Sequence, residues 1–489
     1  MKIWARHAEN RLTSFVSPVG PINIGYKMKD HCGIFGIYNL KEDSPSKSVY
    51  YGLFALQHRG QESAGIAVSD GKEIGHHKGM GLVNQVFNEE ILNRLKGRIA
   101  MGHVRYSTTG SSIIENAQPI VIDTHYGRIA LAHNGNLINS NLLRQELKDK
   151  GLSFVGTSDS EVIASMIATS KKEEFEDAVI DTLKRCKGAF SLLLMTKDKL
   201  LAVRDPNGIR PLSIGKFGSG YVVSSETCAL DIIGAQFVRD VSNGEIVAID
   251  KDGIRSKTWE MGDREAICVF EYIYFARPDS VLHRRGVYES RFQMGKYLAK
   301  EHPVEADVVI PVPESGVPAA IGFSAESKIT FGEGLIKNRY VGRTFIQPNQ
   351  EIRDLGVKLK LNPIRDAVRG KKVVIIDDSI IRGTTSRQIV RLVREAGARE
   401  IHMRVSSPPN LNPCFYGIDT ATKAELIAAN LSIDGIRKYL EADSLGYLSI
   451  NNLIRSISLP AGNLCLACLN GEYPVRVPER LQSLKLFFK

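Results

Sequence analysis

Asp377 and Asp378 close a run of β-branched residues, Val373 to Ile376, and the string Arg382-Gly383-Thr384-Thr385-Ser386 comes shortly after them. Paired acids in such a place accept hydrogen bonds from sugar hydroxyls or hold Mg²⁺, which takes oxygen ligands and keeps several waters. Hydroxyls and free backbone N–H groups that open a helix make a ready phosphate site. Acids on one side and phosphate donors on the other suit a phosphorylated sugar. The pattern is not a Walker loop, because no Gly-x-x-x-x-Gly-Lys-Ser/Thr occurs there.

A second set lies in the first half of the chain. Cys32 opens the apolar segment Cys32 to Ile37, and four polar clusters follow in order: Gln57 to Gly65, Gly102 to Thr108, Ala132 to Leu137 and Thr157 to Glu161. Each ends an apolar segment, where site residues tend to collect. Each also has a plain reading: Asn134-Gly135 as a hairpin turn, Ser158 or Asp159 as a helix cap, Arg105 as a surface ion pair, Cys32 as a small buried hydrophobe. A third set is Cys465-Leu466-Ala467-Cys468, with Cys414 and Cys268 further back. A lone C-x-x-C is open to zinc, to a redox pair or to neither. Four thiolates also suit a [4Fe–4S] cluster. Cys186 and Cys228 lack such company and read as core residues.

These side chains need strands to hold them. Val373 to Ile376 reads as a strand buried on both faces. Gln388 to Ala396 has helical spacing and stops at Gly397, and Ile401 to Val405 reads as the next strand. The unit is βαβ in a parallel sheet, whose ligands bind beyond the carboxyl ends of the strands. Asp307 to Gly316 is a second buried strand running into a tight turn, where backbone N–H groups form a nest for pyrophosphate. Leu335 to Phe345 is a basic, glycine-bearing loop, and Cys268 to Ser280 is strand-like and aromatic. Phe237 to Ile254 reads as strands with turns at Asn243-Gly244 and Asp252-Gly253. Arg204 to Leu212 is a turn-rich string with a structural role. The charged stretch Trp259 to Glu265 marks a boundary, which gives units 32–262 and 263–489 behind an upstream segment 1–31.

A chain of 489 residues has room for two or more domains. Hydrophobic residues at 43% and charged residues at 24% are ordinary for a soluble globular protein. The net charge of +10 is spread along the chain, so it fits anionic phosphorylated ligands and no nucleic-acid partner is expected. No apolar run approaches the ~20 residues of a membrane helix, and no signal core precedes Cys32. Seven unevenly spaced cysteines argue against a disulfide framework and for a reducing, cytoplasmic setting.

The string around Asp377 closely resembles the signature of type I phosphoribosyltransferases, which bind 5-phosphoribosyl 1-pyrophosphate. The clusters after Cys32 together resemble the glutaminase domain of the N-terminal-nucleophile amidotransferases. Cys268 to Ser280 is similar to the interdomain segment of the glutamine phosphoribosylpyrophosphate amidotransferases, so the resemblance covers both halves in order. It implies a four-layer αββα glutaminase domain followed by an α/β phosphoribosyltransferase domain. The reaction implied is the first committed step of purine synthesis: glutamine and 5-phosphoribosyl 1-pyrophosphate give 5-phosphoribosylamine, glutamate and pyrophosphate. Purine nucleotides as feedback inhibitors and a homotetramer come with it.

On that resemblance the Cys32 thiolate attacks the glutamine carboxamide and forms a thioester. Its own α-amino group, ordinarily at a pKa of ~7.7–8.0, takes the thiol proton once the upstream residues are gone. Residues 1–31 are then a propeptide, or Met28 is the true start and four residues are removed. Asn134 and the N–H of Gly135 form the oxyanion hole, Arg105 clamps the glutamine carboxylate, Asp159 holds its α-ammonium, and Gly60 and Thr108 line the pocket. In the second half Ser315 joins Asp377 and Asp378 around one Mg²⁺ per subunit. Lys337 is the candidate for the pyrophosphate contact, with Tyr340 of the same loop at the same substrate. Arg382, Gly383, Thr384, Thr385 and Ser386 receive the 5-phosphate. The basic loop closes over the substrate, and ammonia crosses between the sites in a sealed passage. One branch of the family carries a [4Fe–4S] cluster, one per subunit, on cysteines in the contexts of Cys268, Cys414, Cys465 and Cys468, which implies that cluster here rather than zinc.

Other readings compete. A sugar-phosphate isomerase or an asparagine-forming amidotransferase would share the first half, but the 372–386 string speaks against both. A catalytically silent, regulatory phosphoribosyltransferase-like binding protein is disfavoured by intact Cys32, Asn134, Asp159, Asp377 and Asp378.

Overall fold

The computed structural model describes residues 32–39, 44–106, 110–338, 361–418 and 422–478. Thr108, Tyr340 and the upstream segment 1–31 lie outside the described residues. Cys32 leads into the strand Gly33–Tyr38, whose side chains alternate as a pleated strand must. Ile34 and Tyr38 face inward to a core shared with Met101, Ala130, Leu193 and Val247. Phe35 and Ile37 face the other way, onto Val49, Leu53 and Leu230. The strand sits inside a seven-stranded sheet, antiparallel to Ile99–Arg105 on one side and to Gly220–Ser224 on the other.

A six-stranded sheet lies across that inner core, with Gly127–Leu137 paired antiparallel to Gly188–Met195. Its outer face carries Leu131, Leu192 and Val203, which pack on Leu143, Val162, Ile163, Val179 and Leu183 of the helices Ser140–Asp149, Asp159–Ala168 and Phe175–Arg185. Helices Pro45–Ala55 and Thr227–Ile232 cover the first sheet. The result is the expected αββα stack. Asn134-Gly135 lies within the long strand Gly127–Leu137, so the hairpin-turn reading of that dipeptide is wrong.

In the second half four strands run parallel in the order Val308–Pro311, Lys372–Asp377, Glu400–Val405, Ser444–Tyr447. Val374 and Ile376 pack on one side with Met294, Phe323 and Leu453. Val373 and Ile375 pack on the other with Ile389, Val393 and Ile436. Burial on both faces is why Val373 to Ile376, the middle of that strand, are all β-branched. Three local readings change. The helix after Gly383 is Thr384–Glu395, so it opens one turn earlier than its apolar spacing shows, because its first turn is polar. Of the aromatic segment Cys268 to Ser280 only Cys268 is strand, as the end of Ile267–Cys268, and Glu271–Phe275 forms a π-helical turn. Phe270, Glu271, Tyr272 and Ile273 are all buried, which a strand alternating between two faces at a sheet edge does not achieve. Leu335–Lys337 of the basic loop is a short strand against Leu361–Pro363, and the loop from residue 339 on lies outside the described residues.

Candidate active sites

The Cys32 thiol is buried and donates to the carbonyl of Tyr106 at 3.4 Å. Burial pushes it up to about 11, against the pull of that bond and of the nearby Arg105 charge. Arg105 ends its strand opposite Ser63, and the chain folds over it at Gly60. A Cβ on Gly60 would lie 2.6 Å from the Val104 carbonyl carbon and 2.7 Å from the Arg105 nitrogen, so only glycine allows that approach.

Asn134 and Gly135 come in from the second sheet. Ser225 Oγ accepts from the Ile34 N–H at 3.0 Å and from Asn134 Nδ2 at 3.5 Å, which ties the Asn134 strand to the Cys32 strand. A Cβ on Gly135 would fall 2.0 Å from the Ala189 carbonyl oxygen. Ser158 caps the helix Asp159–Ala168 by accepting from the Glu161 N–H at 3.4 Å. Asp159 accepts from the N–H of Leu137 at 3.0 Å and of Ser160 at 2.9 Å. Burial alone would raise its carboxyl, but His133 and those two N–H groups hold it below the usual range. The structure therefore brings Cys32, Gly60, Arg105, Asn134, Gly135 and Asp159 to one place.

At the second site Asp377 is the last residue of its strand and Asp378 follows, both buried. The Val312 N–H donates to the Ile376 carbonyl at 2.8 Å, which brings the 312–316 turn alongside. Ser315 Oγ then donates to Asp378 Oδ2. Two carboxylates and a hydroxyl form an oxygen-only donor set, the chemistry of a hard dication. Gly383, at φ 78°, turns the chain directly into Thr384–Glu395, so Thr384, Thr385 and Ser386 form its first turn beside the acids. Arg382 Nε stands 3.6 Å from Glu425. Lys337 Nζ lies 3.9 Å from Glu314 of the Ser315 turn, with its side chain half exposed.

The four cysteines assigned to a cluster share one buried apolar region. Cys268 and Cys465 face each other across a two-residue parallel pairing. The Cys468 carbonyl accepts from the N–H groups of Leu411 and Asn412 at 2.9 and 3.0 Å, and Cys414 Sγ accepts from the Tyr416 N–H at 3.3 Å. Burial, with the neighbouring sulfurs adding to it, pushes the thiols of Cys465 and Cys468 up. All seven cysteines are free thiols, and among the described residues no three His, Cys, Asp or Glu side chains form a ready-made metal centre. As a donor set, four sulfurs in one apolar pocket fit a thiolate-ligated group. Cys186 and Cys228 sit apart in separate cores.

The sequence reading missed four buried charges around Cys32: Arg59, Arg210, Glu226 and Glu271. A lone acid within the aromatic run 270–275 was the available signal, because a buried carboxylate needs a cationic partner.

Residues 103–231 match the family model of a glutamine amidotransferase domain, and residues 289–407 match that of a phosphoribosyl transferase domain. Fold and sites thus define an enzyme that joins a glutaminase to a phosphoribosyltransferase. The amidophosphoribosyltransferase of Synechococcus elongatus is 52% identical over 467 residues, 94% of either chain. That of Methanocaldococcus jannaschii is 52% identical over 463 residues, 91% of this chain and 98% of its own. A solved structure described as the allosteric regulatory enzyme of purine biosynthesis superposes with a TM-score of 0.88 at 47% identity, over 93% of this chain and 99% of that one. Glutamine phosphoribosylpyrophosphate amidotransferase from B. subtilis, complexed with ADP and GMP, gives 0.87 at 47% identity over 92% and 98%. The chain belongs to the amidophosphoribosyltransferase family.

Proposed function

We propose that this chain catalyses the first committed step of purine synthesis, with glutamine hydrolysed at Cys32 and the ammonia used to displace pyrophosphate from 5-phosphoribosyl 1-pyrophosphate. The carrying observation is the convergence of Arg105, Asn134, Gly135 and Asp159, from three separated clusters, on the Cys32 thiol, in a chain that also builds the acid-tipped strand.

A thiol held near 11 supplies little thiolate at neutral pH, so the reaction needs a base at the sulfur. Removal of residues 1–31 frees the Cys32 α-amino group, which takes the thiol proton. The thiolate adds to the carboxamide, Asn134 Nδ2 and the Gly135 N–H receive the oxyanion, the tetrahedral adduct expels ammonia to leave the thioester, and water then cleaves the thioester to glutamate and the free thiol. Arg105 and Asp159 hold the two charged ends of glutamine, and Gly60 and Thr108 line the pocket.

At the second site Arg382, Gly383, Thr384, Thr385 and Ser386 orient the 5-phosphate, and Lys337 and Tyr340 meet the pyrophosphate. Ser315, Asp377 and Asp378 would hold Mg²⁺, which supplies positive charge for the leaving pyrophosphate. Cys268, Cys414, Cys465 and Cys468 would hold a [4Fe–4S] cluster, which supplies a cross-link between the tail and the core. The domains run from 32 to 262 and from 263 to 489. Feedback by purine nucleotides is supported by the ADP and GMP bound to the B. subtilis relative. The free thiols support a cytoplasmic setting. Among the described residues no helix is long and apolar enough to cross a membrane. A homotetramer rests on the family resemblance.

The test is pyrophosphate release that requires 5-phosphoribosyl 1-pyrophosphate together with either glutamine or ammonia. Cys32→Ala should lose the glutamine-driven reaction and keep the ammonia-driven one. Loss of both would contradict the two-site assignment.

A further inference from the structure

Glu271 belongs to neither site, yet it lies at the centre of a fully buried ion network. Arg59 donates from Nη1 and Nη2 to its two carboxylate oxygens at 2.9 and 2.8 Å, a parallel two-pronged pair. The same guanidinium donates from Nε to the main-chain carbonyl of Cys32 at 3.0 Å, and its Nη1 also meets Glu226 at 2.5 Å. On the other side Arg210 Nη1 stands 3.5 Å from Glu271, while its Nε and Nη2 donate to the Tyr416 carbonyl at 3.0 and 2.5 Å. The next residue, Gly417, lies on the oxyanion strand: a Cβ there would fall 3.0 Å from the Gly135 carbonyl carbon. Beside it, Asn136 Nδ2 donates to the Phe415 carbonyl at 2.8 Å. One carboxylate thus reaches the nucleophile's backbone in one direction and the oxyanion donor's backbone in the other.

We propose that Glu271 is a positioning residue for glutamine hydrolysis, holding Arg59 on Cys32 and, through Arg210 and the 416–417 backbone, the strand of Gly135. The proposal rests on the functional reading in taking Cys32 as nucleophile and Gly135 as oxyanion donor. Without the carboxylate, two buried guanidinium groups lose their shared counter-charge and must shift or draw in water, which releases both carbonyls. Glu226 still pairs with Arg59, so the glutaminase core keeps one of its ties. A misplacement of about 1 Å in such a constellation costs on the order of 10²-fold in rate.

The test uses the full, processed chain carrying Glu271→Gln. The expected result is a fall of about 10- to 100-fold in kcat for glutamate release, with an unchanged KM for glutamine. Labelling of Cys32 by a diazoketone analogue of glutamine should slow in parallel, while ammonia-driven pyrophosphate release is kept. An unchanged glutamine kcat, or an equal fall in both reactions, overturns the proposal. If Glu271→Gln does not fold, Arg210→Lys keeps the charge but cannot make both bonds to Tyr416, and it should show the same split. An unaltered kcat in that variant also overturns the proposal. Failure of the parent protein to release glutamate would strike the functional reading instead, and the labelling rate would still report on the Cys32 geometry.

Discussion

His103 and His133 are joined by one hydrogen bond, from Nε2 of His103 to the main-chain carbonyl of His133 at 3.0 Å. A carbonyl only accepts, so the proton is on Nε2, and Nδ1 is left buried without a partner. Burial drives this imidazole down to about 3. Because the folded value lies below the unfolded ~6.5, its contribution to stability is complete above that pH and drains away as the pH falls toward the folded value. The slope is ~1.4 kcal/mol per pH unit. Denaturant unfolding of the parent and of His103→Gln at several values below pH 6.5 should differ in slope by about that amount. Identical slopes would show that the unfolded chain does not protonate this residue preferentially.

Gly135→Ala places a methyl group where the Ala189 carbonyl oxygen lies, so the strand must move. Glutamine-driven turnover should fall by ~10²–10³, the usual loss for one oxyanion donor, with ammonia-driven turnover intact. Steady-state rates with the two nitrogen sources decide it.

Asp377→Asn and Asp378→Asn alter the second site, which both nitrogen sources must use. Pyrophosphate release should therefore fall with glutamine and with ammonia alike, while glutamate release persists. Ser315→Ala, which removes the hydroxyl bonded to Asp378, should raise the Mg²⁺ concentration needed for half-maximal rate. A Mg²⁺ titration unaffected by this change would remove Ser315 from the cation site.

Cys465→Ser takes one sulfur from the pair that faces Cys268. Anaerobically purified parent protein should contain iron and acid-labile sulfide in equal amounts, near four of each per chain if the group is [4Fe–4S]. The variant should lose both and melt at a lower temperature. Zinc without sulfide in the parent would redirect the assignment.

The pH dependence of glutamine hydrolysis tests whether the α-amino group of Cys32 is the base. With the α-amino group of Cys32 as base, kcat/KM should rise through ~7.7–8.0. A chain that retains residues ahead of Cys32 should be nearly inert toward glutamine at neutral pH, since its thiol stays protonated up to about 11. Mass determination of the mature N-terminus and a pH–rate profile check both. A full rate in the unprocessed chain contradicts the mechanism.

Short-range pattern announced much of this molecule. Val373 to Ile376 are β-branched because helices cover both faces, and Ile34 and Phe35 alternate because two cores meet there. What depends on distant partners was hidden. Arg59 and Glu271 lie 212 positions apart, and no local period marks such a pair. Asn134-Gly135 carries the same chemistry in a tight turn as in a strand, and only the pairing with Ser191 and Phe190 decides between them. The aromatic run after Cys268 misled for the same reason: its residues are apolar enough for a strand, but their burial on all sides and the inward carboxylate call for a helical turn.

The contacts of Arg59 with Glu271 and of Asn136 with Phe415 also bear on how this polypeptide could be dissected. A fragment stopped at residue 262 would keep every residue proposed for the thioester chemistry, but Arg59 would lose Glu271 and keep Glu226, and Arg210 would lose both Glu271 and the Tyr416 carbonyl. The two catalytic units are thus not interchangeable modules. Grafting this glutaminase onto another acceptor domain would require that domain to bring its own inward-pointing acid.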